Sequence, residues 1–224
     1  MAVIISIETS TSVCSVALHE NGGLVAAKEL HQRHAAASQL AVQLEDLFSE
    51  TRIPKRDIAA VAVSSGPGSY TGLRIGVAFA KGLSFGLEIP MIAIESLSVL
   101  ASAVSSQQPG ELLCPMIDAR RMEVYCCLYD RALNPASRTQ AIVIDSDSFH
   151  AELQDRKIIF FGDGAAKCRE VITHPNASFL ENLYPAAANM GTSAFHRYRT
   201  KDFVDVASFE PFYLKEFAAK TKSA

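Results

Sequence analysis

The sequence predicts an α/β fold: a mixed sheet that opens as an antiparallel meander, continues by parallel crossover and carries helices on its surface. Three observations predict it. Apolar, β-rich runs at 2–8, 12–19 and 23–30 are joined by Thr9-Ser10-Thr11 and by Asn21-Gly22. Asn-Gly is a strong hairpin signal because both residues tolerate φ > 0. A helical period then begins, with Ala37, Leu40, Leu44, Leu47 and Phe48 three and four positions apart. Finally, runs at 58–63 and 90–94 flank a helix-patterned segment at 73–87. Such a β-α-β unit pairs its strands in parallel and is nearly always right-handed.

The first helix spans 34–50 and stops near Thr51, with Pro54 and Lys55-Arg56-Asp57 closing the unit. A polar, Pro/Gly-containing stretch at 103–110 predicts a boundary, giving a first unit at 1–104 and a smaller one at 105–204. In the second unit 111–118, 122–129 and 139–145 read as strands, with Asp118-Ala119-Arg120-Arg121 turning between the first two. A short helix at 147–154, a strand at 157–161 and helices at 186–199 and 212–220 follow. No sequence repeat is visible, although the two halves order their elements similarly.

Composition bounds the function. A chain of 224 residues with 49% hydrophobic and 20% charged content builds a real core, burying about 70% of its unfolded surface. Twenty-one Lys+Arg against 24 Asp+Glu give a net charge of −3. That argues against autonomous nucleic-acid binding, which needs a basic surface, and leaves only a local patch. The start MAVIISIETSTS has no basic lead of a signal peptide, and no window nears the ~18 apolar residues of a membrane span. Cys14, Cys114, Cys126, Cys127 and Cys168 include no C-x-x-C, so reduced buried thiols in a cytoplasmic protein are expected.

Three segments carry candidate chemistry. Gly66, Gly68 and Gly72 lead from a strand into a helix N-terminus. Their backbone N–H groups would suit a phosphate, or the turn is simply a tight strand-to-helix junction. It is no Walker loop, since no G-K-[ST] follows. Glu8-Thr9-Ser10-Thr11-Ser12 ends the first strand with a carboxylate and hydroxyls, fit for Mg²⁺ and phosphate or for a polar turn. The helix at 73–87 is the third. Arg74, Lys81 and Glu88 recur every seventh position, and the rest is apolar or small. A helix apolar over most of its circumference must be covered on more than one side, by the chain itself or by a partner. The pair His31-x-x-His34 lacks an acidic third ligand at helical spacing, so no metal site is expected. Asp118, Arg120, Arg121 and Glu123 read as a charged turn.

Taken together, IISIETSTSVCSVAL, SSGPGSYTGLRIGVAFAKGLSFGLEIP at 64–90, IDARRMEVY at 117–125 and EPFYLK at 210–215 resemble the TsaB (YeaZ) family. The motifs occur in the family's order over almost the whole length. The resemblance implies an actin-like (ASKHA, ribonuclease H-like) two-lobed fold, each lobe opening with antiparallel strands and the second reduced. A C-terminal helix at about 205–224 would pack back on the first lobe. It also implies a cytoplasmic, non-catalytic subunit of tRNA threonylcarbamoyladenosine synthesis. Its partners would be a TsaD-like catalytic subunit and a TsaE-like ATPase, with a homodimer when alone and tRNA met mainly through the partner.

The family's docking helices carry over onto His34, Ala35, Ser38 and Val42, and onto Tyr70, Thr71, Leu73, Arg74, Val77, Ala80, Lys81 and Ser84. A charge at Val77 or Ala80 is therefore expected to break the complex and spare the fold. Candidate nucleotide or phosphate residues are Glu8, Thr9, Ser10, Gly66, Pro67, Gly68, Ser69 and Gly72. No cofactor is expected for the chain alone; ATP or ADP with Mg would sit at the complex interface. The H-x-x-x-H of the catalytic paralogue is missing, and Glu8 stands where actin-like phosphate loops commonly have Asp. Two other functions compete: an autonomous ATPase or phosphotransferase, whose turnover would need Glu8, and a glycoprotease-like metallopeptidase, whose ligands are not found.

Overall fold

The structure, a computed structural model, describes residues 1–32, 36–104 and 112–215. Strands β1 (Val3–Glu8), β2 (Cys14–Glu20) and β3 (Gly23–Leu30) form the antiparallel meander, turning at Asn21-Gly22 as expected. Helix α1 (Ala36–Thr51), strand β4 (Ile58–Gly66), helix α2 (Tyr70–Leu87) and strand β5 (Met91–Glu95) follow. The sheet order is β3-β2-β1-β4-β5, with β4 and β5 added in parallel. β1 is central and buried along its whole length, which is why VIISIE reads as a continuous apolar run rather than alternating.

A short helix α3 (Ser96–Ser102) follows β5 directly. The sequence reading missed it, because seven residues rich in serine carry too little periodicity to register. The second sheet comprises β6 (Leu112–Asp118), β7 (Glu123–Cys126), β8 (Gln140–Val143), β9 (Ile158–Phe161) and β10 (Ala177–Leu180). Its order, β10-β9-β6-β7-β8, repeats that of the first sheet: β6, β7 and β8 antiparallel, β9 and β10 added in parallel. β10 was also unforeseen, being a four-residue edge strand. The covering helices of this half shrink to α4 (His150–Asp155) and a single 3-10 turn at Ala166–Cys168.

Layers follow from the two faces of each sheet. On the outer face of the first, Leu40, Leu44 and Leu47 of α1 and Val77 and Ala80 of α2 bury against Val3, Ile5, Ile7 and Val16. On its inner face Ile4, Ala17, Ala62 and Ile92 meet Met190 and Ala194. Leu97, Leu100 and Ala101 of α3 pack on Leu113, Ile117 and Phe161 of the second sheet. Leu153 of α4 covers that sheet's far side with Cys114, Met116 and Phe160.

Met190 caps, and Ala194 belongs to, the last helix α5 (Gly191–Thr200). α5 therefore lies on the first sheet, not in the unit expected at 105–204. The second sheet ends at Leu180, and the chain then crosses back. The buried Ser15 hydroxyl accepts from Ala187 N at 2.9 Å, and His19 Nε2 donates to Ala188 O at 3.1 Å. His19 Nδ1 in turn accepts from the Ser6 hydroxyl at 3.0 Å. A side chain on Gly191 would meet the His19 ring at 2.3 Å, so glycine is what admits α5 so close.

After α5 the chain stays on the first unit. Val204 bridges Met91, Lys81 donates to Ala207 O at 3.1 Å, and Phe212 N donates to Ser65 O at 2.7 Å. Residues 212–215 are not helical, contrary to the reading of a closing helix; 216–224 lie outside the described residues. So does most of the boundary expected at 103–110. Among the described residues no helix is long and apolar enough to cross a membrane.

Candidate partner face and glycine-rich turn

The candidate phosphate residues do come together, but around each other. Glu8 ends β1 fully buried, and its Oε1 accepts from Ser10 N at 2.5 Å. Burial pushes this carboxyl up to about 7, against the hydrogen bonds from Ser10, Ser64 and Thr9 that favour its charged form. Its Oε2 and the Ser10 hydroxyl are buried without a hydrogen-bond partner among the described residues.

The glycine-rich turn rests directly on this loop. Ser69 N donates to Ser10 O at 2.6 Å, and the Thr9 hydroxyl donates to Gly72 O at 2.8 Å. A Cβ at Gly68 would fall 2.3 Å from Ser10 O, one at Gly72 2.1 Å from Thr9 O, and one at Gly76 2.2 Å from Thr9 Oγ1. Those are steric overlaps with backbone or a buried hydroxyl, so only glycine fits. Gly66 (φ 109) likewise faces Phe212 O, at 2.6 Å from a would-be Cβ, and Pro67 is buried beside it. The α2 N-terminus is capped internally, with Ser69 Oγ accepting from Gly72 N at 3.2 Å. Of the two readings left open, the geometry favours the tight junction. The carbonyl oxygens of Thr9 and Ser10, which repel an anion, press on the glycines expected to cradle one.

Helix α2 has two faces. Leu73, Gly76, Val77, Ala80 and Ser84 point inward and are buried. This corrects the sequence expectation at Leu73, Val77, Ala80 and Ser84: all four are buried within the chain, Val77 and Ala80 against its own sheet, and none presents a side chain to a partner. Thr71, Arg74, Ala78, Gly82, Phe85 and Gly86 are exposed, and Tyr70 and Lys81 half so. Phe85 is 84% exposed, and a Cβ on Gly82 or Gly86 would meet nothing within 4 Å. Arg74 is turned along the helix, donating to the Tyr70 hydroxyl at 3.0 Å, and the Tyr70 ring lies tilted against Tyr213 with centroids 4.7 Å apart.

Helix α1 lies in the same layer. Leu40, Gln43, Leu44, Leu47 and Phe48 face inward, leaving Ala37, Ser38, Ala41 and Val42 outside, with Val42 51% exposed. His34 and Ala35 lie outside the described residues. The outward surface of the first two turns of α1 and of α2 is thus mostly small or apolar, with Arg74 and Lys81 as the charges α2 places on it. Sequence reasoning missed Ala78 and Phe85 as interface residues, although their spacing from Thr71 and Arg74 puts all four on one side of a helix.

The other motifs are quieter. Asp118 pairs with Lys167, which also donates to Glu123 O at 2.7 Å, and Glu123 pairs with Lys215. Among the described residues no three His, Cys, Asp or Glu gather as metal ligands, and the five cysteines are free and buried.

Known proteins resemble this arrangement throughout. A family model described as "TsaD: tRNA N6-adenosine threonylcarbamoyltransferase" matches residues 10–223. The tRNA threonylcarbamoyladenosine biosynthesis protein TsaB of Escherichia coli is 30% identical over 226 residues, covering 98% of this chain and 97% of that protein. The Bacillus subtilis TsaB is 29% identical over 233 residues, covering 98% of this chain and 96% of that protein. Among solved structures, YeaZ from Pseudomonas aeruginosa superposes with a TM-score of 0.83 at 26% identity, over 96% of this chain and all of that one (100%). The activator of 2-hydroxyisocaproyl-CoA dehydratase from Clostridium difficile, solved with bound ADPNP, reaches a TM-score of 0.52 at 12% identity over 90% of this chain and 96% of that one, a likeness of fold alone. The doubled sheet topology and these neighbours make the architecture the two-lobed actin-like one.

Proposed function

Because the chain belongs to the TsaB (YeaZ) branch of the TsaD family, we propose that it serves tRNA threonylcarbamoyladenosine synthesis as an accessory subunit without chemistry of its own. It would hold a TsaD-like transferase through the outer face of α1 and α2, and a TsaE-like ATPase would join that pair. One observation carries the reading: an exposed face of α2 on which a phenylalanine 84% open to solvent stands beside Ala78 and Gly82, with Val42 of α1 51% exposed in the same layer. An exposed glycine in mid-helix costs roughly 1 kcal/mol relative to alanine, a cost offset where a second helix must come close. Burying such a patch at ~25 cal/mol per Å² stabilises a complex by several kcal/mol before association entropy.

Catalysis by the chain alone has little support in its donor set. The H-x-x-x-H of the transferase paralogue does not occur in this sequence, and Glu8 is engaged with Ser10 N in the interior. In this reading ATP or ADP with Mg²⁺ belongs to the joint between subunits, and tRNA is met mainly through the partner. The free chain pairs with a second copy through the same face. The test is co-elution of the full chain with the transferase subunit. Ala78→Arg, at an exposed position, should leave the chain folded with its circular dichroism unchanged and abolish co-elution; a complex of unchanged stability would refute the assignment of this face.

A further inference from the structure

The β6–β7 hairpin turns through Arg120 and Arg121, both left-handed at φ 72 and 52. Among the described residues the only other consecutive pair with φ between 20° and 160° is Asn21 and Gly22, at 50 and 88. There the chain uses the two residue types that adopt this conformation cheaply. A side chain with a Cβ crowds the following carbonyl in the left-handed conformation, so the arginine pair is held against an appreciable penalty.

The local structure does not use the guanidinium groups to offset it. The turn is fastened by other atoms: Arg120 N donates to Asp118 Oδ1 at 2.9 Å, Ala119 N to Glu123 O at 3.1 Å and Glu123 N to Arg120 O at 3.2 Å. Of the neighbouring acids, Asp118 pairs with Lys167 and Glu123 with Lys215, and Asp163 accepts from Asp118 N at 3.1 Å. Both arginines are exposed, and among the described residues neither forms an ion pair. Two exposed guanidinium groups therefore stand together at the tip of the hairpin, on a chain whose net charge is −3. Strain kept at an exposed position points to a contact made outside the chain. Paired, planar guanidinium groups suit phosphate oxygens.

We propose that Arg120 and Arg121 form a phosphate-contact point for the RNA backbone of the tRNA substrate, acting when the chain is assembled with its transferase. The inference rests on the accessory-subunit reading, which supplies the polyanion.

The test uses the full chain with its transferase subunit and titrates an unmodified tRNA transcript over a salt series. Arg120→Asn with Arg121→Gly replaces the pair by residues at ease in the turn. The isolated double variant should melt about 4 °C higher, as relief of strain in a domain this size predicts. Its complex should bind tRNA about tenfold more weakly near 0.1 M salt, with a salt slope smaller by about 2. Arg120→Lys with Arg121→Lys should keep most of the slope. Equal affinity and slope in the double variant would overturn the proposal. So would loss of co-elution by the folded variant, which would make the turn a protein contact. Should the unaltered chain form no complex, the accessory-subunit reading fails by itself. The same titration on the chain alone then decides this inference, with equal slopes overturning it.

Discussion

Glu8 shows how a single residue reports its surroundings. Its carboxyl closes β1 inside the protein, with one oxygen held by the Ser10 amide and the other left without a partner among the described residues. Burial raises it to about 7, above its unfolded value. The folded state therefore binds the proton more tightly, and stability falls as pH rises between about 4.5 and 7. Glu8→Gln keeps the acceptor and removes the charge, so it should stabilise the chain by about 2–3 kcal/mol at pH 8 and by little at pH 5. Urea denaturation at the two pH values checks this; equal gains at both would contradict the burial argument. The sequence displayed Glu8 and the glycines as conspicuous residues but not their orientation. Spacing alone is the same for a phosphate cradle and for a turn packed on Thr9 and Ser10, and the deciding atoms come from a distant part of the chain.

At the scale of the element, α2 was legible as a helix and misread as a surface. Arg74, Lys81 and Glu88 mark a polar stripe, and the apolar remainder says only that more than one side is covered. Which apolar residues face the sheet is fixed by where β4 delivers the chain and by Thr9, against which Gly76 closes. Val77, expected at a docking surface, belongs to the core with Leu44 and Ile5. An unpaired charge buried there costs several kcal/mol. Val77→Asp should therefore unfold the chain, whereas Gly82→Ala should stabilise it by up to ~1 kcal/mol because the added methyl meets open space. Thermal melts of the two variants separate the faces; a folded Val77→Asp would reverse the assignment. Helix α1 showed a clear period and α5 was expected only as a helix near 186–199, whereas α3 and β10 went unread, being too short to carry a period.

For the whole molecule, the sequence showed one mixed sheet clearly and a second only in outline. The identity of strand order between the sheets emerges from pairing, since no residue pattern repeats visibly. The return of α5 was equally hidden. It depends on Ser15 and His19 meeting backbone beyond Ala186 and on Gly191 permitting the approach. The consequence is functional: α3 and α5 fill the inner side of the first sheet, while α1 and α2 form an outer layer whose edge the chain beyond α5 joins through Val204, Val206 and Phe209. The central claim is that this outer layer acts by holding a second polypeptide. Reconstituted tRNA threonylcarbamoylation tests it most directly, run with the transferase and ATPase subunits and with this chain present, omitted, or alone. The account predicts modification only when this chain accompanies the others, and none from the chain by itself. Full modification in its absence, or turnover by the isolated chain, would contradict it.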